Sequence, residues 1–479
     1  MHATGAAAPH RRSQTHRRAQ RSAALSLLLF LLWSHGALGQ QKPNIILILS
    51  DDVGAETLGI YGGESYRTPE LDALARDGVR FAHGHAQPLC TPSRVKLMTG
   101  QYNFRNYRHF GHLDPTQTTF AHVLKSAGYR TSVVGKWQLY SNPFETLQGS
   151  TPTTAGFDDF LVWQLTPQER GSRYWQPVLN DNGELRRLPA TRFGPDILNE
   201  RVVALIRDHG PQPFFIYYSM VLAHAPWVTT PDMRDDSASD QARFAAMVAY
   251  MDKLVGNVRR AVEAQGIENN TLVLFIGDNG TDRDITSLRR GREVRGAKGR
   301  TINAGTQVPF MAWGPGLVQA GRVSNSLVNL NDVFPTLAEL AGAPLPSGYP
   351  QDGTSLVPVL HGASELARED LFIHYEPRWP TARPARYAFD RRWKLYEQGG
   401  FFDMQQDPLE QTPLLPGALG PEARAAYERL NARLQQMPGE LQSSHRWLPR
   451  QFYYALGAAL LVLFLTVILL RRRARRLRP

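Results

Sequence analysis

Ile45-Ile46-Leu47-Ile48-Leu49-Ser50-Asp51-Asp52 decides how this chain folds. The aliphatic run is too short for an ordinary helix, rich in β-branched residues, and stops abruptly at polar ones. A continuous apolar run of this kind reads as a strand buried on both faces, as in a parallel sheet covered by helices. The same reading applies to 131–134, 214–218 and 272–276. Between the last two, Met247, Met251, Leu254, Val255, Val258 and Val262 recur at helical spacing, a core-packing stripe rather than a cofactor box. Strands alternating with helices predict an α/β fold: a large mixed, mostly parallel sheet sandwiched by helices.

Each run ends in residues capable of chemistry. The first leads into Asp51-Asp52, the second into Gly135-Lys136, the third to His224-Ala225-Pro226, and the fourth into Gly277-Asp278-Asn279-Gly280. Open α/β sheets bind ligands outside the carboxyl ends of their strands, so these four ends can converge on one pocket. Asp51, Asp52, Asp278 and Asn279 are oxygen donors of the kind a hard divalent cation such as Ca²⁺ or Mg²⁺ takes. A cation would also offset the repulsion between neighbouring carboxylates. No cysteine spacing suits structural zinc.

The most specific segment is Cys90-Thr91-Pro92-Ser93-Arg94-Val95-Lys96-Leu97-Met98-Thr99-Gly100. Pro92 and Ser93 suit the first turn of a helix, placing Cys90 at its N-terminus, where free N–H groups and the dipole favour an anion. Cys90 is then a candidate nucleophile beside Arg94. Gly291 to Lys298 has the look of a phosphate loop, but Ala297 stands where the lysine is needed and no strand is expected before it, so no nucleotide site is read there.

The net charge of +11 over 479 residues invites a nucleic-acid reading. Five arginines within residues 1–39 and six within 471–479, with no acid in either stretch, account for the whole excess. The body between is balanced, so no nucleic-acid partner is expected. Residues 1–39 have the basic start, short apolar segment and small-residue end of a secretory signal. Residues 451–470 form an uncharged, largely apolar run, long enough nearly to cross a hydrocarbon core of about 30 Å. The arginines after it predict a cytoplasmic tail, 471–479, and an exported body tethered by its C-terminus. The single cysteine excludes an intrachain disulfide, which favours a bacterial periplasmic setting.

The expected organisation is a catalytic domain over 40–360, a smaller C-terminal subdomain over 361–436 and a linker at 437–450 before the span. Segments 370–375, 387–396 and 400–404 read as short antiparallel strands of the smaller part, and 421–436 as a polar helix. Pro-rich 342–358 and 376–384 read as loops.

The cysteine segment closely resembles the signature of formylglycine-dependent sulfatases of the alkaline phosphatase superfamily. The likeness spans about 43–412. It includes Asp51-Asp52, Gly135-Lys136-Trp137, His224 with Pro226, Asp278-Asn279, Arg295-Gly296-Ala297-Lys298 and Val308-Pro309-Phe310, then Asp352-Gly353-Thr354-Ser355-Leu356, Phe402-Asp403-Met404 and Asp407-Pro408. The resemblance implies an alkaline-phosphatase-like fold. It also implies Cys90 oxidised by a maturation enzyme to formylglycine, and a Ca²⁺ held by Asp51, Asp52, Asp278, Asn279 and the modified Cys90. The aldehyde hydrate would attack sulfur, with Arg94 holding it in place. Lys136 and Lys298 would hold sulfate oxygens, and His224 would serve the sulfate or the proton transfers. One departure stands out. Position 138 is Gln where the family usually has His, so Gln138 can bind substrate through hydrogen bonds but cannot take a proton at neutral pH. It is read as marking a bacterial, arylsulfatase-like subtype.

The expectation is therefore a sulfuric ester hydrolase acting on an aryl or carbohydrate sulfate. Two alternatives remain at this point. One is a phosphonate monoester or phosphodiester hydrolase on the same fold. The other is a tethered binding protein for sulfated glycans, with chemistry impaired at Gln138.

Overall fold

The computed structural model describes residues 41–439 apart from 142–146, 170, 364 and 380–381, together with positions 2 and 5. The signal segment, the run at 451–470 and the basic tail lie outside the described residues. Among those described, no helix is long and apolar enough to cross a membrane.

The chain forms sixteen described strands. They are β1 (Asn44–Ser50), β2 (Val79–His85), β3 (Arg130–Lys136), β4 (Asp159–Trp163), β5 (Val178–Asp181), β6 (Glu184–Arg187), β7 (Phe214–Ser219) and β8 (Thr271–Gly277), followed by β9 (Thr286–Arg289), β10 (Arg292–Arg295), β11 (Phe310–Trp313), β12 (Arg322–Asn329), β13 (Leu371–Tyr375), β14 (Ala385–Phe389), β15 (Trp393–Tyr396) and β16 (Phe401–Asp403). Ten of them make one sheet in the order β12-β2-β11-β8-β1-β7-β3-β4-β5-β6. The block β8-β1-β7-β3-β4 is parallel, and β11, β5 and β6 add antiparallel neighbours. The expected large, mixed, mostly parallel sheet is what forms.

Strand β1 shows why the run 45–49 is unbroken by polar residues. Ile45, Leu47 and Leu49 enter one core with the helices Cys90–Thr99, Phe120–Ser126 and Val333–Leu340. Ile46 and Ile48 enter the other with Pro69–Arg76, Gly194–Arg207 and Asp240–Ala264. Successive side chains alternate between faces and both faces are covered, so none of these five central positions tolerates a polar group. The methionine stripe on Asp240–Ala264 packs in the second core, as expected. Asp252 of that helix accepts the backbone N–H groups of Glu70 and Leu71 at 3.1 and 2.8 Å. It thereby caps the neighbouring helix Pro69–Arg76, whose own Thr68 makes no side-chain cap.

A second sheet, β13-β14-β15-β16, is an antiparallel meander. The helix Pro421–Gln436 covers it with Ala423, Ala426, Leu430 and Leu434 against Trp393, Leu395 and Phe401. The segment 387–396 is not one strand. Asp390 accepts N–H bonds from Arg392 and Trp393 and turns the chain between β14 and β15, an Asx-type turn. The stretch 342–358 is a loop up to the one-turn helix Val357–Leu360. Contrary to expectation, a strand does precede Gly291: β9 and β10 pair as an antiparallel ribbon, so Gly291–Lys298 is a returning strand and its sequel.

Gly135 sets the spacing of β3 and β7. Its φ is +116°, and a Cβ there would lie 1.8 Å from the Ser219 carbonyl oxygen. Gly135→Ala combines overpacking with backbone strain and is expected to cost roughly 2–5 kcal/mol. A thermal or urea unfolding curve measures this, and an unchanged midpoint would refute the close approach.

Candidate active site and metal centre

The strand register brings the carboxyl ends together: Leu49 pairs with Ser219, Ser50 with Gly277 and Gly135 with Ser219. The residues just beyond therefore meet. Asp51 and Asp52 leave β1, Lys136 closes β3, and Asp278 and Asn279 leave β8. Asp52 adopts a left-handed φ of 62°, a conformation Asp tolerates better than most residues. Its N–H donates to Asp278 Oδ1 at 3.1 Å.

Cys90 is the first residue of the helix Cys90–Thr99, and every residue of that helix is buried. This explains why the segment shows no amphipathic period. Gly100, at φ 67°, ends the helix as a left-handed cap against Phe334. One turn after Cys90, Arg94 donates to Asp278 Oδ2 through Nε at 3.1 Å and through a terminal nitrogen at 2.9 Å. Its other terminal nitrogen donates to the Ser219 hydroxyl, and Asp51 lies at 3.7 Å.

Asp51 and Asp52 are almost completely buried. Burial alone would raise Asp51, yet Lys136, His224, Arg94 and Arg173 together hold it below the usual carboxylate range. Lys136 Nζ donates to both Asp51 oxygens at 2.8 Å. Lys298 Nζ donates to Asp52 Oδ2 at 2.6 Å and lies 3.0 Å from His224 Nε2. Burial and the charge of Asp51 push Asp278 up to about 7, against the pull of Arg94. Burial lowers His224 to about 4 despite Asp52 and Asp51, so its ring is neutral at pH 7. Nδ1, 2.6 Å from the Ala225 carbonyl, carries the proton, which leaves the Nε2 lone pair facing the Lys298 ammonium.

The structure thus brings Cys90, Arg94, Lys136, His224, Lys298, Asp51, Asp52, Asp278 and Asn279 to one place. Gln138 differs. It follows β3 with φ 53°, and its side-chain amide donates to Gln164 Oε1 at 3.2 Å. Arg173 was missed. It stacks on Trp163 with 4.2 Å to the ring centre, donates to the Ala225 carbonyl at 3.1 Å and sits 3.5 Å from Asp51 Oδ2. Its Nη1 is buried without a hydrogen-bond acceptor. Nothing in the loop sequence Ser172-Arg173-Tyr174 distinguishes this arginine from others in the chain.

The donor set fits a hard cation. One ligand atom each from Asp51, Cys90 and Asp278 lies within 4.8 Å of the others, as do those of Asp51, Asp52 and His224. Asn279 donates its amide to Asp52 Oδ1 and the Gly280 carbonyl, while its Oδ1 is buried with no partner. An acceptor oxygen left without a donor amid buried carboxylates is the arrangement a cation satisfies.

Residues 43–343 match the family model "Sulfatase". The chain belongs to the sulfatase family. Arylsulfatase A of Bos taurus is 31% identical over 466 residues, covering 84% of this chain and 89% of the relative. Arylsulfatase D of Homo sapiens is 28% identical over 530 residues, with 86% and 88% covered. Among solved structures, the crystal structure of Ps i-CgsB superposes with a TM-score of 0.70 at 22% identity, covering 87% of this chain and 98% of that one. A phosphonate monoester hydrolase of Agrobacterium radiobacter superposes with a TM-score of 0.61 at 20% identity, covering 82% and 95%. These two likenesses establish the fold.

Arg173 points its Nη1 at Asp51 Oδ2, 3.5 Å away, beyond hydrogen-bond geometry, so that it adds positive charge beside the carboxylate cluster. Arg173→Met is expected to lower kcat/KM for sulfate ester hydrolysis roughly 100-fold. Steady-state kinetics beside a melting curve check this, and wild-type kinetics would remove Arg173 from the site.

Proposed function

We propose that this sulfatase hydrolyses sulfate esters of a carbohydrate or aryl alcohol with a nucleophile made from Cys90 and a divalent cation, Ca²⁺ by its donor set. The observation that carries the reading is Cys90 at the head of a buried helix, grouped with Asp51 and Asp278 and under the influence of Lys136 and Lys298. Burial pushes the Cys90 thiol above its ordinary range, so the unmodified thiol is a weak nucleophile at neutral pH. Oxidation of Cys90 to formylglycine by a maturation enzyme supplies a hydrated aldehyde whose hydroxyl is the nucleophile. Asp51, Asp52, Asp278 and Asn279 would hold the cation, which when bound would supply Lewis-acid polarisation of a sulfate oxygen.

The remaining roles belong to the chain's own side chains. Arg94, fixed by Asp278 and Ser219, holds residue 90 in register with the carboxylates. Buried Lys136 and half-buried Lys298 are donors that can turn from Asp51 and Asp52 to sulfate oxygens and offset charge on the leaving oxygen. His224, neutral at pH 7, accepts or returns a proton at Nε2. Gln138, steadied by Gln164, binds substrate by hydrogen bonds alone.

The two ends support an exported enzyme. The run at 451–470 followed by six arginines fits a C-terminal anchor with the body outside the cytoplasm.

The intact mass of the Cys90 peptide from the native host tests the nucleophile, with an expected loss of about 18 Da and carbonyl reactivity. An unmodified thiol in protein that still cleaves aryl sulfate would refute it. A higher kcat/KM on a phosphonate ester than on a sulfate ester would overturn the choice of substrate.

The cation is tested without activity. Chelation should lower the melting temperature and Ca²⁺ should restore it, by about 2.7 kcal/mol of stability at 100 times the Kd. Asn279→Leu should shrink that restoration, whereas an identical Ca²⁺ response would place the cation elsewhere.

A further inference from the structure

Lys298 also lines a cleft of about 960 Å³, whose walls carry Arg283, Arg295, Arg300, Arg383 and the half-buried Trp379. A second cleft, about 1070 Å³, carries Arg80, Arg290, Arg292 and Arg391. Arg295 and Leu409 line both, so the clefts share a wall and lead from the active-site lysine along the β9–β10 ribbon.

The charge there is local. Ten basic and five acidic side chains line the two clefts, while the body of the chain is balanced. One of the acids, Glu410, is already bound by the buried Lys394 at 2.6 Å. Arg283, Arg290, Arg292, Arg295, Arg300 and Arg391 are exposed, and among the described residues none has a carboxylate within 4.0 Å. Elsewhere the arginines divide: Arg105, Arg186, Arg201, Arg260 and Arg392 are paired, while Arg67, Arg76, Arg130, Arg234 and Arg424 are exposed without a carboxylate partner among the described residues. What distinguishes the trough is that six such arginines line the same two adjoining clefts. Arg295 and Arg391 each give Nε to a backbone carbonyl; guanidinium groups that face one trough without a carboxylate partner can meet an external anion with their remaining N–H groups.

The ribbon that carries them is firmly based. Arg290 and Gly291 form its turn with φ of 50° and 71°, the signs of a two-residue hairpin turn whose twist matches the strands. The Arg290 N–H donates to the Gly62 carbonyl at 3.0 Å, and the Glu64 N–H donates to the Leu288 carbonyl at 2.8 Å. Side chains on such a base lose less entropy on binding than those on a loose loop.

We propose that this trough binds the remainder of a polyanionic glycan whose reacting sulfate lies at Cys90. It rests on the sulfatase reading and narrows it: the substrate is a sulfated oligosaccharide with further sulfate or carboxylate groups, and not a singly sulfated small molecule. Arg283, Arg290, Arg292 and Arg295 hold the additional anions, and Trp379 offers a ring for a sugar face.

The test uses the full chain as Cys90→Ser, so binding is read without turnover. Its affinities for glucose 6-sulfate and for a dextran sulfate hexasaccharide are compared by calorimetry at 0.15 M salt. The hexasaccharide should bind more than about tenfold tighter, with the gain falling as salt rises. Arg290→Glu with Arg292→Glu should abolish the gain and leave the monosaccharide affinity and melting temperature unchanged. Equal affinity for the two ligands, no binding of either, or a gain that survives charge reversal would overturn the proposal. Hydrolysis of an aryl sulfate by the matured wild type reports separately on the sulfatase reading. Aryl sulfate turnover without the hexasaccharide gain sinks the trough alone, and the gain without turnover sinks the reading of the reaction.

Discussion

An ionised carboxylate with no surface exposed to water, Asp51 at the end of the central strand, is the constraint on which the site depends. Its charge cannot be left alone at that depth. Lys136 from β3, Arg94 from the cysteine helix, Arg173 from the loop after β4 and His224 from the loop after β7 all act on it. Four separate parts of the chain are thus drawn to one point by electrostatics as well as by packing. Removing one member of such a buried group leaves an uncompensated charge, at a cost of about 3–5 kcal/mol. The same network therefore also fixes where β3, β7 and the cysteine helix end relative to β1.

The second sheet is tied into this arrangement. Lys394 of β15 is fully buried and donates to Glu410 at 2.6 Å and to the Thr301 carbonyl at 2.9 Å. The Thr301 hydroxyl meets the Tyr396 hydroxyl at 2.7 Å. Thr301 lies three residues beyond Lys298, so the small sheet grips the segment that presents Lys298 to Asp52 and His224. It also forms one wall of the trough beside Lys298. The late residues 385–410 thus hold in place the segment that carries Lys298.

Much of this was legible in the sequence because the parallel core demands unbroken apolar strands, and β1, β3, β7 and β8 meet that demand. Their ends extend one or two residues past the apolar runs, into Ser50, Lys136 and Ser219, because ladder hydrogen bonds do not require apolar side chains. Strand β2 was not legible. It contains Arg80, His83 and His85, and its pairing with β11 and β12 comes from tertiary contact rather than from any period of its own. The single run expected at 387–396 hid a turn at Asp390. Each of the site's strand-end motifs is weak alone; they could be read because four of them can converge on one pocket and because the Cys90 segment carries a specific family resemblance. Arg173 could not, because an arginine in a loop carries no pattern until the fold aims it at Asp51.

Gln138 closes the chemical argument. Its N–H continues the β3–β4 ladder to the Gln164 carbonyl at 3.4 Å, and its amide binds the Gln164 side chain. The pair is self-consistent: one amide donates, the other accepts, and neither gains or loses a proton at neutral pH. Proton transfer on the proposed reading then falls to His224, which burial keeps neutral beside a lysine. A charged imidazole there would face the Lys298 ammonium at contact distance and be repelled. On that reading His224, being neutral, can take a proton at Nε2 once the Lys298 ammonium, 3.0 Å away, turns toward an anionic oxygen.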